Sequence, residues 1–220
     1  MKSFFKNNGL SIVLIGFFCF SLAGQYVTGW YEHNEDQRTH RRQPVSFVQY
    51  AGEGHFIEAL FENWESEFLQ MAAFVIFTVF LYQKGSAESK PLNKALRVDR
   101  INKSSHLDPK MPWPVRRGGI ALEIYKYSLS LALLFLFLVS FVLHGTGGAV
   151  EYNQEQLEHG LPAVTTMQYM TGTRFWFESF QNWQSEFLSI AAMVILSIFL
   201  RQKGSPESKP VDTPHGETEE

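Results

Sequence analysis

Residues 10–27 read LSIVLIGFFCFSLAGQYV, without one ionisable side chain. A bilayer offers a peptide group no hydrogen-bond partner, so a segment this long and apolar must close its own hydrogen bonds as a helix. Trp30 and Tyr31 follow it, residue types that settle at a membrane–water interface. Residues 127–143, YSLSLALLFLFLVSFVL, have the same character and are flanked by Tyr125 and Tyr127. Two further apolar blocks, 68–82 and 187–200, are shorter than the roughly 20 residues a crossing needs. Beginning each at the Trp that precedes it gives helices over 64–84 and 183–203, each about 21 residues and roughly 31 Å long.

The phrases before those two blocks are nearly the same, NWESEFL from Asn63 and NWQSEFL from Asn182. Asn63 and Asn182 suit helix N-caps, Trp64 and Trp183 interfacial anchors, and Glu67 and Glu186 the electropositive first turn. Gly85 and Gly204 suit the left-handed residue that ends a helix. Sliding the sequence on itself by 119 positions aligns residues 32–91 with 151–210 without a gap, about half the pairs being identical, as internal repetition requires. The match continues weakly backward, placing Leu10, Ser11, Leu14, Phe18 and Ser21 on Leu129, Ser130, Leu133, Phe137 and Ser140. The expected fold is therefore all-α, a four-transmembrane-helix bundle made of two tandem two-helix repeats. Two crossings per repeat return the chain to its starting side, so both repeats have the same orientation.

Charge sets the direction. Residues 83–126 hold ten Lys and Arg against four Asp and Glu, whereas residues 31–67 hold three against eight and residues 145–186 one against five. By the positive-inside rule both termini and the joining segment are expected in the cytoplasm, and the two acidic loops outside. The organisation expected is repeat 1 over 1–92 with crossings at about 10–30 and 64–84. A basic, Pro-rich linker follows over 93–119, then repeat 2 over 120–211 with crossings at about 125–144 and 183–203. Residues 212–220 are expected to form an acidic, disordered tail. The linker phrase LDPKMPWPVRRGG, over residues 107–119, is expected to be irregular, with its cations near anionic headgroups. Lys2, Lys6, the apolar run and SLA at residues 21–23 also resemble a cleavable signal. The weak match of the first apolar run to the third favours its retention.

Two polar constellations recur in both copies. Glu32, Asp36 and His40 stand at i, i+4, i+8, as do Glu151, Glu155 and His159; on a helix they share a face that suits a divalent cation. The plainer reading, a solvated helix face, is preferred, so no metal and no cofactor are expected. Asn63 and Glu67, with Asn182 and Glu186, form the second constellation, a candidate polar or ion site where the two copies meet. Cys19 is the single cysteine, which excludes a disulfide framework within the chain. The net charge of −3 gives no reason to expect a nucleic-acid partner. No P-loop, GxSxG, HExxH or filter-like TVGYG stretch occurs, and no ionisable residue occupies the middle of an apolar run. These features speak against an enzyme, a potassium channel and a coupled transporter.

GWYEHNEDQRTH, GHFIEALFENWESEFLQM and LYQKGSAESKP, with the duplicated NWxSEF and QKGSxESKP phrases, resemble an uncharacterised bacterial membrane protein family defined as a domain of unknown function. The resemblance runs over nearly the whole chain. It implies an inner-membrane location and carries no activity or catalytic residue. The copies differ at Glu65 against Gln184 and Tyr82 against Arg201. The expected function is structural or interactive, with the bilayer and its anionic headgroups as partners and a protein or a second copy of the chain as a further one. The alternative is a small channel or permease with Glu67 and Glu186 at an acidic outer mouth.

Overall fold

The computed structural model describes residues 2–92, 94, 96–100 and 108–218, with the backbone alone at residues 2 and 3. The linker expected over 93–119 thus lies partly outside the described residues, at 93, 95 and 101–107, as do the last two residues of the tail. The chain is helical, with no strand among the described residues. The long helices are α1 (Lys2–Thr39), α2 (Gly54–Phe80), α5 (Ser128–Glu158) and α7 (Thr173–Phe199). Three short ones are α3 (Trp113–Arg117), α4 (Gly119–Lys126) and α6 (Thr166–Met170). α1, α5 and α7 are long and apolar enough to cross a membrane. α2 is not among them, because Glu58, Glu62, Glu65 and Glu67 occupy its first half and its apolar stretch begins only at Phe68.

Three expectations about helix ends are corrected. Asn63 and Asn182 are not N-caps, since α2 starts nine residues earlier, at Gly54, and α7 nine residues earlier, at Thr173. Phe56, Leu60, Trp64 and Phe68, spaced four apart, carry one helical stripe straight through the supposed cap. Gly85 and Gly204 are left-handed, at φ 85° and 86°, but lie five residues beyond Phe80 and Phe199. Each is the third residue of a turn, closed by Ser86 N–H on the Gln83 carbonyl (3.2 Å) and by Ser205 N–H on the Gln202 carbonyl (3.1 Å). A left-handed third residue in such a turn calls for glycine. The Pro-rich stretch also holds the short helix α3, because Pro114 sits in its first turn, where no N–H is needed.

The chain folds as two compact units: residues 1–61 with 143–175, and residues 62–142 with 176–220. In the first unit, positions 119 apart repeat the same local chemistry. The Asn34 amide donates to the Val45 carbonyl (3.1 Å) and accepts from the Val45 N–H (2.7 Å); Asn153 does the same with Val164, at 2.9 and 2.7 Å. Ser46 and Gln49 exchange reciprocal hydrogen bonds, as do Thr165 and Gln168, which opens α6 with a capping box. Tyr50 and Tyr169 are buried beneath these turns, and Gly29 and Gly148 leave the room their hydroxyls occupy. The core is aromatic: Tyr26 stands edge-on to Phe47, Tyr50 and Phe56, and Phe175 packs on His144 and Tyr169, the arrangement that ring quadrupoles favour.

The second unit contains the QKGSxESKP phrases. Ser89 Oγ accepts the Gln83 N–H and Ser208 Oγ the Gln202 N–H, both at 2.8 Å, while Ser86 and Ser205 bond the N–H of Glu88 and Glu207 at 3.1 Å. Residues 213–218 lie against this unit. The buried Lys209 ammonium donates to the carbonyls of Pro214, His215 and Glu217, and Gly85 N–H donates to Thr218. An ammonium taken out of water needs acceptors on all three protons, and the tail backbone supplies them. Glu88 and Glu207, themselves 119 apart, share a side-chain hydrogen bond. Burial first, then the Glu207 charge and that bond, hold the Glu88 carboxyl above its ordinary range, since each disfavours the ionised form.

Two features of these turns can be tested by thermal unfolding. α1 and α5 end alike, Arg42 N–H bonding the Gln37 carbonyl (2.7 Å) and Leu161 N–H the Gln156 carbonyl (2.9 Å), with Arg41 at φ 58° and Gly160 at φ 69° between. Both are left-handed helix ends. Arg41 occupies a conformation that its Cβ disfavours by roughly 1–2 kcal/mol, so Arg41→Gly should stabilise the protein by about 1 kcal/mol. A thermal midpoint in detergent raised by about 2–4 °C is expected. For Glu88, a raised folded pKa means stabilisation that is full at acidic pH and lost as pH rises through the raised value. As pH rises above the ordinary glutamate value of about 4.3 the wild-type midpoint should fall, and Glu88→Gln, which keeps a hydrogen-bond donor without ionising, should flatten that fall.

Candidate functional site

α1 and α5 run on past their apolar stretches, and the polar extensions of both belong to the first unit. From Val27 to Thr39 is about 18 Å of further helix. A cavity of about 280 Å³ opens there, lined from α1 by Glu32, His33, Asp36 and Gln37, from α5 by Glu151, Gln154, Glu155 and Glu158, and also by His40, Arg42 and His55. Its floor depends on close backbone approach. A Cβ on Gly54 would lie 2.8 Å from the Glu151 nitrogen and 2.9 Å from the Gly147 oxygen. That approach brings His55, the second residue of α2, to α5.

Most charges in the cavity wall are already matched. Arg42 pairs with Glu158 and donates to the Gln154 side chain (3.1 Å) and carbonyl (3.2 Å). Arg174 grips both oxygens of Glu155 while lying over the Tyr152 ring at 5.5 Å. His40 Nδ1 is 3.2 Å from Asp36, and its Nε2 is 3.9 Å from Glu158. Such bidentate and networked pairs fix geometry more than they add stability at a partly exposed site.

His55 is held differently. Its Nε2 stands 3.1 Å from Glu32 Oε2 and its Nδ1 2.8 Å from the Tyr50 hydroxyl, and its ring lies 5.2 Å from that of His33. His33 is itself buried and within 3.1 Å of the Gln37 side-chain nitrogen. Burial, then the Glu32 and Glu151 carboxylates, push the Tyr50 hydroxyl up to about 12, so it keeps its proton. It can donate to Nδ1 or accept from an Nδ1–H, and so serves either tautomer of His55. Glu151 Oε2 is fully buried and has no hydrogen-bond partner.

Of the repeated i, i+4, i+8 sets, Glu32, Asp36, His40, Glu151 and Glu155 line the cavity, and His159 is exposed, its Nδ1 on the Glu155 carbonyl. His33 and His55 lie outside the pattern that the two copies share. Their counterparts are Tyr152 and Arg174, so the imidazoles appear only where the copies differ. Gly54 beside His55 was the available signal.

The second constellation lies in the other unit. Glu67 is exposed and Glu186 half-buried, and their side chains are hydrogen-bonded to each other. Asn63 is exposed; the Asn182 amide donates to the Glu178 carbonyl at 3.2 Å. Trp64 and Trp183 are half-buried, and the Trp183 indole donates to Glu65 Oε1 (3.0 Å), a fully buried carboxylate. Trp183 therefore has a specific polar partner in addition to any interfacial role.

No curated protein and no solved structure matches the chain. Along residues 1–220 it matches the family described as a domain of unknown function, DUF6766, and the protein belongs to that family.

Proposed function

We propose that the protein is a non-enzymatic, multi-pass protein of the bacterial inner membrane that presents a rigid polar platform to a protein partner or to a second copy of itself. Four crossings in two tandem hairpins of the same orientation, with both termini and the basic linker cytoplasmic, account for the charge asymmetry of the loops. α2, which has four glutamates in its first half, is the sequence counterpart of α7, which is long and apolar enough to cross. The observation that carries the functional reading is how the charges of the first unit are used. Arg42, Arg174, Glu155 and Glu158 are all engaged in ion pairs, and Asn34 and Asn153 in backbone clamps. Residues engaged in this way shape a surface, whereas covalent catalysis calls for a nucleophile with a base held free to activate it.

The channel reading draws on one observation, the meeting of Glu67 and Glu186. Two carboxyl groups bonded to each other satisfy each other, which favours a structural contact over an open cation path. The two readings separate in one pair of measurements. Amine cross-linking in intact membranes should give a discrete complex of defined stoichiometry, and proteoliposomes holding the purified protein should show no cation flux above empty liposomes. A monomer alone on cross-linking, with flux that Glu67→Gln/Glu186→Gln abolishes in folded protein, would replace the platform with a pore.

A further inference from the structure

We infer that α3 and α4 form a docking surface for an anionic phospholipid, with the headgroup at Lys110, Arg116 and Arg117 and the acyl carbons against Trp113, Ile120 and Ile124. The inference rests on the reading of the chain as a multi-pass membrane protein and adds to it a preferred lipid class.

The groove is the first argument. α3 and α4 meet at Gly118 and leave beside them a groove of about 680 Å³, lined mainly by apolar side chains from Trp113 to Tyr125. Ile120 and Ile124 stand four residues apart on α4 and so share a face. They are 81 % and 57 % exposed, and Trp113 is 55 % exposed. Large apolar side chains gathered on one surface mark contact with something other than water. Position is the second. α4 ends at Lys126, and α5, long and apolar enough to cross a membrane, begins at Ser128. Tyr125 and Tyr127, both exposed, mark that junction, and Trp and Tyr settle where acyl chains meet headgroups. An apolar face held so close to a crossing lies at that boundary, as it does in helices that rest in the interface.

Charge is the third argument, and it selects the headgroup. Residues 108–126 hold four Lys and Arg against two Asp and Glu. Glu123 pairs with Lys126, and the Asp108 carboxylate accepts the Lys110 backbone N–H at 2.9 Å. Among the described residues no carboxylate pairs with the side chain of Lys110, Arg116 or Arg117. The Arg117 guanidinium lies over the Trp113 ring at 5.0 Å, a cation–π contact that holds one positive charge at the edge of the groove. Basic residues at a membrane surface attract lipids of net negative charge. A zwitterionic headgroup carries its own ammonium beside the phosphate and satisfies them less well.

The test uses the full chain in liposomes and reads the quenching of Trp fluorescence by lipids brominated in the acyl chain. The Trp113 component is the wild-type signal minus that of Trp113→Phe. In a phosphatidylcholine host, brominated phosphatidylglycerol should quench this component as though enriched about fivefold over brominated phosphatidylcholine at the same mole fraction. Arg116→Gln/Arg117→Gln, at two exposed positions, should remove the enrichment, and about 0.5 M salt should weaken it in the wild type. Equal quenching by the two lipids, or an enrichment unchanged by the double variant or by salt, would overturn the inference. A Trp113 component that neither lipid quenches would also overturn it and make the groove a protein-docking surface. Release of the chain from the liposomes by alkaline carbonate would overturn the membrane reading together with it.

Discussion

Two side-chain amides hold the first unit together. When a long helix ends beyond a bilayer, the chain must turn back, and the turning backbone needs partners that neither helix nor sheet supplies. Asn34 and Asn153 provide them by pairing with both the N–H and the carbonyl of a residue eleven positions on. Each clamp fixes where Val45 or Val164 lies, and hence where the following turn places Tyr50 or Tyr169. Tyr50 in turn orients His55, so the geometry of the cavity traces back through one hydroxyl and one turn to an amide on α1. An Asp at either position would keep the acceptor and lose the donor; the Val45 carbonyl would then be left to the Trp30 indole, which donates to it at 2.9 Å.

Repetition at an offset of 119 accounts for the scaffold, and divergence between the copies accounts for the site. Clamps, reciprocal turn bonds, buried tyrosines, left-handed helix ends and QKGS turns recur at that offset with nearly the same distances. Around the cavity the copies part company. His33 has Tyr152 as its counterpart, and His55 has Arg174. Arg174 lies over Tyr152 and grips Glu155, a purely structural arrangement, whereas His55 lies by His33 and meets Glu32. One copy has the arginine that locks; the other has imidazoles in the corresponding places.

Much of the helical content was legible in the sequence, because a membrane-length apolar run leaves the backbone one economical solution. Helix ends were not. Asn63 looked like a cap by residue type, yet a cap is chosen by where the amphipathic stripe stops, and the stripe through Phe56 and Leu60 runs past it. Gly85 and Gly204 were correctly read as needing left-handed backbone, but for a turn rather than a helix end. The contacts of Lys209 with the tail backbone depend on a burial that cannot be read from local composition. Of the cavity, the carboxylates on α1 and α5 could be found by spacing. His55 could not, since it arrives from a different helix through the contact at Gly54.

A chain that repeats itself also faces an electrostatic consequence that a single copy does not. Where two equivalent segments meet, each ionisable residue near the meeting point finds its own kind opposite. Glu88 meets Glu207 and Glu67 meets Glu186, both pairs separated by 119 positions. Like charges at hydrogen-bond distance repel by several kcal/mol at low dielectric unless a proton lies between them. At the QKGS turns burial, the Glu207 charge and the bond to Glu207 hold the Glu88 carboxyl above its ordinary range. Glu65 shows the other escape. Its counterpart is Gln184, which carries no charge, and its own carboxylate accepts a hydrogen bond from the Trp183 indole N–H instead. Across these repeated segments, the groups that meet their own kind share a proton or a hydrogen bond, and the fully buried carboxylate is the one whose copy has lost its charge.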